Sequence, residues 1–301
     1  MELKDQLSWS EFLKESQKEK KISKAKPFNR LIAHSKNLFI VAGYGSFTDG
    51  YVLVITKDFI PSFGLVSNDI EKELNFLLKL IKFHINKKYK RNSVVFEHGM
   101  CACIGGLDRA HVHIMSINPN SSATSLKKSI EKVLYTRKAG IEYIQFGKYK
   151  LENIHDINQF MDDANPENSN YEVMGSLLKL NDIKNLETSK WPLITLNHIN
   201  KGGHYVYFES DYAEASFLTT QNFQTQFGRQ VVYENELLLS DKFKKETDDI
   251  IVKNPLIEPW KWQNWVYEER IIETVNNTRN DLKKYSLEFS EDFKKFQFEI
   301  I

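Results

Sequence analysis

The sequence predicts an α+β protein, in which an antiparallel sheet with flanking helices is extended by a mixed α/β region toward the C-terminus. Three segments predict this fold: a hairpin within residues 38–63, an amphipathic helix over residues 68–88 and a strand over residues 111–115. Hydrophobic residues make up 41% of the 301 residues, which is enough for a real core.

The hairpin is indicated by two apolar runs that flank Thr48-Asp49-Gly50. Asp-Gly between apolar runs is a strong hairpin signal. The helix that follows is indicated by apolar residues at 3.6-residue spacing. We predict that it runs from Asn68 to Lys88, with Asn68 as the N-cap.

The strand at residues 111–115 reads His-Val-His-Ile-Met. Alternation at period two puts His111, His113 and Met115 on one face and the two apolar residues between them on the other. Two imidazoles side by side on one strand face, just after a glycine pair, are poorly explained by packing. They indicate a chemical site.

The stretch from Val94 to Ile117 resembles the histidine-triad (HIT) superfamily of nucleotidyl hydrolases and transferases, whose motif alternates His and apolar residues. His111 and His113 match the first two histidines of that motif. Met115 stands where the third would be, and where the transferase branch carries Gln, so it fits neither branch. The alternative without a site is a His-x-His on an ordinary strand.

The hairpin also resembles that family. Residues 50–57 follow the course of the family's hairpin strand, although Phe59 stands where many members have His. The order strand, hairpin, helix, strand, glycine loop and catalytic strand is that of the HIT fold. The resemblance therefore implies a HIT-like catalytic domain over residues 1–150.

Residues 151–301 are predicted to form a C-terminal extension, a hairpin plus helices, that covers the active site. The apolar patterns predict hairpin strands over residues 193–199 and 205–209 and helices over residues 221–239 and 260–284. The extension is similar to that of longer HIT-like proteins, including CwfJ-type and bacterial ones. The similarity lies at residues 226–232, 260–262 and 269–274. It implies that Gln226 and Arg229 close over the substrate's phosphates, since Arg offers a rigid bidentate fork. The alternatives are a surface ion pair for the arginine and core packing for the tryptophans.

The resemblance implies a mechanism for the two histidines. His113 is predicted to attack the α-phosphate of a nucleotide and to form a covalent nucleotidyl-histidine, because a neutral imidazole needs no deprotonation. His111 is predicted to orient the phosphate or the loop beside it. Water, phosphate or another acceptor would then take the nucleotidyl group.

The residues before the strand supply candidate phosphate contacts. Gly105 and Gly106 fit a loop whose backbone N–H groups approach the phosphate closely. Asp108 would hydrogen-bond within this loop or contact the phosphate. Arg109, expected on the same side as the two histidines, would stabilise the charge on the phosphoryl oxygens. His98 would contact the phosphate or serve the structure.

The chain has two cysteines, Cys101 and Cys103, and their spacing makes a disulfide between them strained. With His98 they could supply zinc ligands, yet zinc pairs usually come with a second pair elsewhere, and none is visible. We therefore expect no cofactor and no metal, with the thiols buried beside the active-site loop.

The net charge of +1, from 41 basic and 40 acidic residues, argues against a dedicated nucleic-acid binder. No apolar run approaches the ~20 residues that a membrane span needs. The charged N-terminus lacks the apolar stretch of a signal peptide, so we expect a cytoplasmic protein. The expected partner is a nucleotide, a dinucleotide or a nucleotide conjugate. A homodimer stays open, since many HIT proteins dimerise but the extension could cover the dimer face.

The leading hypothesis is thus a HIT-type nucleotidyl hydrolase or transferase. The alternative is a catalytically weak or inactive nucleotide-binding or scaffold protein in RNA processing. Met115 makes that alternative relevant, because a thioether carries no proton and donates no strong hydrogen bond. The base, the leaving group and the acceptor are left open.

Overall fold

The computed structural model describes residues 30–60, 62–99, 109–137, 141–146, 204–211, 214–219, 226–253 and 258–301. These residues form the α+β fold that the sequence predicts. The strands are β1 (Leu31–His34), β2 (Leu38–Ala42), β3 (Val52–Thr56), β4 (Asn92–Gly99), β5 (His111–Ile117), β6 (Ile141–Phe146), β7 (His204–Ser210), β8 (Glu214–Thr219) and β9 (Glu299–Ile300). The helices are α1 (Asn68–Tyr89), α2 (Ala123–Arg137), α3 (Phe227–Leu239), α4 (Asp241–Lys253), α5 (Glu268–Tyr285) and α6 (Ser290–Lys295).

The nine described strands form one sheet in the order β6-β8-β7-β4-β5-β3-β2-β1-β9. Every neighbouring pair is antiparallel. Strands from the C-terminal half extend this sheet on both sides, because β7 pairs with β4 and β9 pairs with β1. The sheet therefore joins strands from before and after residue 150. The division into two domains at that residue stays a prediction.

The predicted hairpin is confirmed as β2 and β3, whose register runs from Leu38 opposite Thr56 to Ala42 opposite Val52. The connection between the two strands is longer than a two-residue turn. One further hydrogen bond, from the backbone N–H of Gly43 to the carbonyl of Tyr51 at 2.9 Å, continues the pairing beyond the strand ends. Gly50 has a φ of 72°, which is the left-handed conformation that the Asp-Gly signal anticipates.

The predicted helix over residues 68–88 is confirmed as α1, but its cap is one residue earlier than expected. Ser67 has an extended backbone, and its hydroxyl accepts from the N–H of Ile70 at 3.5 Å. Asn68 is already helical, so it cannot be the N-cap residue. The apolar face of α1 packs on the sheet.

Each face of the sheet has its own apolar core. On one face, Val112 and Ile114 of β5 pack in a buried cluster with Leu77 of α1. On the other face, Met115 packs in a cluster with Leu126 of α2 and with residues of α3. The alternation predicted for the side chains of β5 is thereby confirmed. Each cluster packs helices against one face of the sheet.

The last long helix begins later than its sequence pattern predicts. A helix expected from Trp260 begins at Glu268, because Trp262–Trp265 form a 3₁₀ helix. Trp265 is buried there, and its indole N–H donates to the carbonyl of Pro259 at 2.5 Å. The predicted strand at 193–199 lies outside the described residues, and β7 pairs instead with β8, which the pattern did not predict.

In the described ranges, the chain contains no helix with both the length and the apolar character that crossing a membrane requires.

A buried histidine joins α1 to α5. The Nδ1 atom of His84 lies 3.4 Å from the Asp281 carboxylate, and its Nε2 atom lies 3.3 Å from the Thr278 hydroxyl. Burial lowers the pKa of His84 to about 4, against the opposing effect of Asp281. The folded protein therefore holds this imidazole neutral at pH 7.

We predict that His84 makes the free energy of unfolding fall by about 3 kcal/mol as the pH drops from 6.5 to about 4. The sign follows because the unfolded chain binds a proton at this histidine in that window and the folded chain does not. Chemical denaturation across this pH range measures the effect.

The matched variant is His84→Gln, which removes the titration and keeps an amide for Thr278. It should show a shallower loss of stability with falling pH than the wild type. Equal pH dependence in both proteins would contradict the prediction.

Candidate active site

A cavity opens on the face of the sheet where β3, β4 and β5 meet the start of α3, and we call it the histidine cavity. In the described part of the chain it is lined by Arg30, Val41, Tyr44, Tyr51, Leu53, Ile55, Phe96, His98, His111, His113, Gln226, Arg229 and Trp262. It therefore draws on both the hairpin and the C-terminal half of the chain. Five of the predicted site residues meet here.

His113 lies at the centre of three strands. On β5 it is opposite Leu53 of β3 on one side and Phe96 of β4 on the other. Its ring stacks on the Phe96 ring with centroids 4.6 Å apart, and its Nδ1 atom lies 2.6 Å from the Tyr51 hydroxyl. Packing and one hydrogen bond thus fix the ring, with Nδ1 directed at a phenol.

The surroundings of His113 keep its imidazole neutral. Burial is the main cause that lowers the pKa of His113 well below the usual 6.5, and electrostatic interactions with His111, His98 and Arg229 add to it. A neutral imidazole with one nitrogen held by a hydrogen bond can offer the lone pair of the other.

His111 is held in a defined tautomer. Its Nδ1 atom lies 2.9 Å from the backbone carbonyl of Arg109. A carbonyl oxygen only accepts, so Nδ1 carries the proton and the lone pair of the neutral ring is on Nε2. Burial lowers the pKa of His111, which keeps that lone pair available. The two imidazoles meet edge to face with centroids 5.1 Å apart.

Arg229 brings α3 to the cavity. Its guanidinium is 2% exposed, donates from Nη2 to the carbonyl of Gly45 at 2.6 Å and donates from Nε to the carbonyl of Trp260 at 3.2 Å. The Nη1 atom has no hydrogen-bond partner in the described part of the chain. The guanidinium also lies over the rings of Phe47 and Tyr51. Arg229 is therefore a core residue and a cavity residue at once, and no surface ion pair.

Gln226 and its neighbours close the cavity on the same side. Gln226 precedes α3 with a φ of 67°, and its Oε1 atom accepts from the backbone N–H of Trp262 at 2.9 Å. The Trp262 indole lies beside the Tyr44 ring, with centroids 6.1 Å apart. A left-handed glutamine is uncommon, and here it lets the chain turn from the cavity into the helix.

His98 joins β4 to α3. Its Nε2 atom accepts from the backbone N–H of Gly228 at 3.4 Å. The Gly228 position has no room for a side chain, because a Cβ atom there would overlap the Phe96 ring. His98 thus lines the histidine cavity and also helps to place the helix that carries Arg229, and its contact with phosphate stays a prediction.

Arg109 does not place its side chain beside the two histidines, where the sequence predicts it. It precedes β5, and its guanidinium lies 4.2 Å over the ring of Phe59. It is not among the described residues that line the cavity. The strand alternation that placed it beside the histidines does not extend back to residue 109, because β5 begins at His111. Its contact with phosphate stays a prediction.

The glycine loop cannot be placed against the cavity. Gly105, Gly106 and Asp108 lie outside the described residues, and so do Cys101 and Cys103. Their predicted roles, and the absence of zinc, stay predictions.

Met115 stands apart from the cavity. Its side chain is fully buried in the core with α2 and α3, and it is not among the described lining residues. The third position of the motif is thus used for packing, not for chemistry.

Sequence reasoning missed eight of the thirteen described lining residues, and among them are Tyr51 and Arg30. The signal for Tyr51 was present, since it has the same parity as the cavity-facing Leu53 and Ile55 of the hairpin. No local sequence pattern marks Arg30. It lines the cavity because it directly precedes β1 and packs on the Tyr44 ring. Its Cζ atom lies 3.8 Å from the centroid of that ring.

The electrostatics of the histidine cavity are one-sided. Two guanidinium groups, Arg30 and Arg229, line it, and the described lining contains no Asp or Glu. Burial is the main cause that lowers the pKa of both arginines, to about 10 for Arg30, and both still carry their charge at pH 7. The imidazoles contribute no negative charge. The cavity is therefore suited to an anion.

No model of a known protein family matches this sequence, and no curated protein is significantly similar to it. Weak similarity to the fold is found among solved structures, and two of them show its extent. One is a yeast Ap4A phosphorylase in complex with Ap4A, with a TM-score of 0.31, 7% identity and coverage of 62% of this chain and 60% of the phosphorylase. The other is a DUF4931 family protein from Bacillus cereus, with a TM-score of 0.32, 8% identity and coverage of 82% of this chain and 98% of that protein.

The chain thus spans about three fifths of the phosphorylase's length. Both likenesses are too weak to assign a family, so membership of the HIT superfamily and the CwfJ-type resemblance stay predictions. The cavity itself has to supply the evidence for function.

We predict that Gly228→Ala lowers the free energy of unfolding by about 1–3 kcal/mol, because the added methyl group overlaps a buried ring. Inside a helix, Gly to Ala ordinarily stabilises by up to about 1 kcal/mol, so the expected sign is the reverse of helix propensity. Urea denaturation measures it.

Leu238→Ala is the control, since Leu238 lies on the same helix with half of its side chain exposed. It should change stability little. A Gly228→Ala protein as stable as the wild type would show that α3 is free to move away from Phe96.

Proposed function

We propose that this protein is a nucleotide-processing enzyme of the nucleotidyl hydrolase or transferase type, in which His113 attacks the α-phosphate of a nucleotide. One observation carries the proposal. A buried, neutral imidazole with Nδ1 held by Tyr51 lies in a cavity that has two guanidinium groups and no carboxylate in its described lining. Such a site supplies a nucleophile and a place for negative charge together.

The first step requires a proton on Nδ1 of His113. The Tyr51 hydroxyl can accept that hydrogen, because a phenol oxygen accepts as well as donates. The lone pair of Nε2 then forms the N–P bond, and the bond from phosphorus to the leaving oxygen breaks with its electron pair on that oxygen. The ring becomes cationic, and its Nδ1–H continues to donate to the Tyr51 hydroxyl oxygen.

Arg229 serves the phosphoryl oxygens in this proposal. Its charge lies beside Tyr51 and His113 in a buried setting, where hydrogen bonds to an anion are strong. The cavity thus favours the charge that builds on phosphorus during attack.

His111 is suited to the second step. Its Nε2 lone pair can accept a proton, and in this tautomer it cannot donate one to a phosphate oxygen. We therefore assign it the role of base toward the acceptor. When water attacks the phosphorus of the nucleotidyl-histidine, the proton goes to His111, the N–P bond breaks and neutral His113 is restored.

The second candidate is a nucleotide-binding protein with weak or no catalysis. The observation that favours it is the burial of Met115, which leaves the third motif position without a proton to give. The two candidates differ in one result, the covalent intermediate.

The decisive experiment is intact-protein mass spectrometry after incubation with dinucleoside polyphosphates, nucleotide sugars or adenylate anhydrides. We expect a mass gain of one nucleotidyl group in the wild type and in His111→Ala, where slow hydrolysis should make the adduct accumulate. His113→Ala should gain none.

His34→Ala is the matched control, because His34 is a partly buried histidine of β1 outside the cavity lining, paired with Glu299. It should behave like the wild type. An adduct that forms in His113→Ala but not in His111→Ala would make His111 the nucleophile and His113 the base. No adduct and no product in any protein, with nucleotide still bound, would establish the second candidate.

We predict that Tyr51→Phe slows adduct formation by about tenfold to a hundredfold, because one hydrogen bond to a ring that becomes charged is lost. The aromatic ring stays, so the packing against His113 and the affinity for nucleotide should change little. Single-turnover rates and equilibrium binding separate the two effects.

A loss of nucleotide affinity with an unchanged chemical rate would refute this role of Tyr51.

The rate of adduct formation by the wild type should also stay constant as the pH falls through 6.5, since His113 stays neutral there.

A further inference from the structure

Arg30 lines the histidine cavity and comes from a different part of the chain than Arg229. It directly precedes β1, and its Nη1 atom donates to the carbonyl of Ala42 at 2.6 Å. Its guanidinium lies over the Tyr44 ring, with Cζ 3.8 Å from the ring centroid. One strand end and one aromatic ring thus hold this side chain in place.

These contacts leave part of the guanidinium unsatisfied. The Nε atom of Arg30 is shielded from solvent and has no hydrogen-bond partner in the described residues. Arg229 lies on the same cavity, beside the Tyr51 hydroxyl. Two guanidinium groups that line one cavity, with no described carboxylate beside them, favour an anion there.

The two arginines act on the same group. Tyr51 is the phenol whose pKa is affected by the charges of both Arg229 and Arg30, in the direction opposite to burial. Its hydroxyl lies 2.6 Å from Nδ1 of His113. Arg30 therefore belongs to the cluster around the proposed nucleophile, although it comes from a different element than Arg229.

The chemistry at His113 explains why a second cation is useful. Met115 supplies no proton, so a leaving group must depart as an anion or be stabilised in another way. A guanidinium beside the leaving oxygens stabilises that developing charge without a proton transfer.

We propose that Arg30 and Arg229 form a two-guanidinium clamp for a diphosphate group, with Arg229 at the phosphoryl group that His113 attacks and Arg30 at the phosphate linked to it. This inference rests on the proposed function for its orientation. On attack, the N–P bond forms and the bridging P–O bond breaks, with the electron pair on the phosphate at Arg30. Substrates with linked phosphates are favoured over mixed anhydrides with a single phosphate.

The test is calorimetric titration with inorganic phosphate and inorganic pyrophosphate at pH 7.5. The wild type should bind pyrophosphate more tightly than phosphate. Arg30→Gln should lose about tenfold to a hundredfold of its pyrophosphate affinity, since hydrogen bonds to a charged partner are lost, and should keep its phosphate affinity. Equal losses for both anions, or no loss, would overturn the clamp.

Two further variants keep the result interpretable. Arg279→Gln is the matched control, since Arg279 donates to the carbonyl of Leu31 on β1 and is not among the described lining residues. It should bind both anions as the wild type does. Arg30→Lys keeps the charge but not the planar fork, and it should lose part of the pyrophosphate preference. It decides the question if Arg30→Gln does not fold.

The clamp and the proposed function can fail separately. The titrations need no covalent chemistry, and we expect the same pyrophosphate preference in His113→Ala. Selective loss in Arg30→Gln without any nucleotidyl adduct would support the clamp and refute the catalytic proposal. An adduct in the wild type without a pyrophosphate preference would support the catalytic proposal and refute the clamp.

Discussion

The buried guanidinium of Arg229 ties the site together, because a cation with 2% exposure has to be satisfied by whatever surrounds it. It donates to carbonyls from two distant segments, at Gly45 in the hairpin connection and Trp260 before the 3₁₀ helix. The hairpin, the start of α3 and the tryptophan segment are therefore held in one arrangement. The cavity exists where these three meet the face of the sheet.

The same requirement gives the cavity its chemical character. Neutral groups stabilise the two arginines, namely backbone carbonyls and aromatic rings, so their charge is not cancelled in the described lining. Burial, with the charge of Arg229 adding to it, keeps His113 neutral. A cavity suited to an anion and a neutral imidazole thus both follow from the groups buried around it.

Local patterns predicted the elements well where periodicity is a property of a short segment. The α1 helix, the β2–β3 hairpin and the alternating faces of β5 follow from spacing alone. The start of α5 did not, because Trp262–Trp265 fit a helical pattern while Trp265 is drawn into the core and forms a 3₁₀ turn. The pairing of β7 with β4 also joins residues more than a hundred positions apart, which no local pattern encodes.

By itself, the sequence determined that His111 and His113 share a strand face, since strand geometry fixes the direction of alternate side chains. It also singled out Gln226 and Arg229 as partners of that face. Only the tertiary structure decided which groups share the cavity with the imidazoles, because Tyr51 contacts His113 and Arg30 joins the cavity lining through contacts across the fold. It likewise decided the tautomer of His111 and the burial of Met115, since both depend on neighbours brought close by folding.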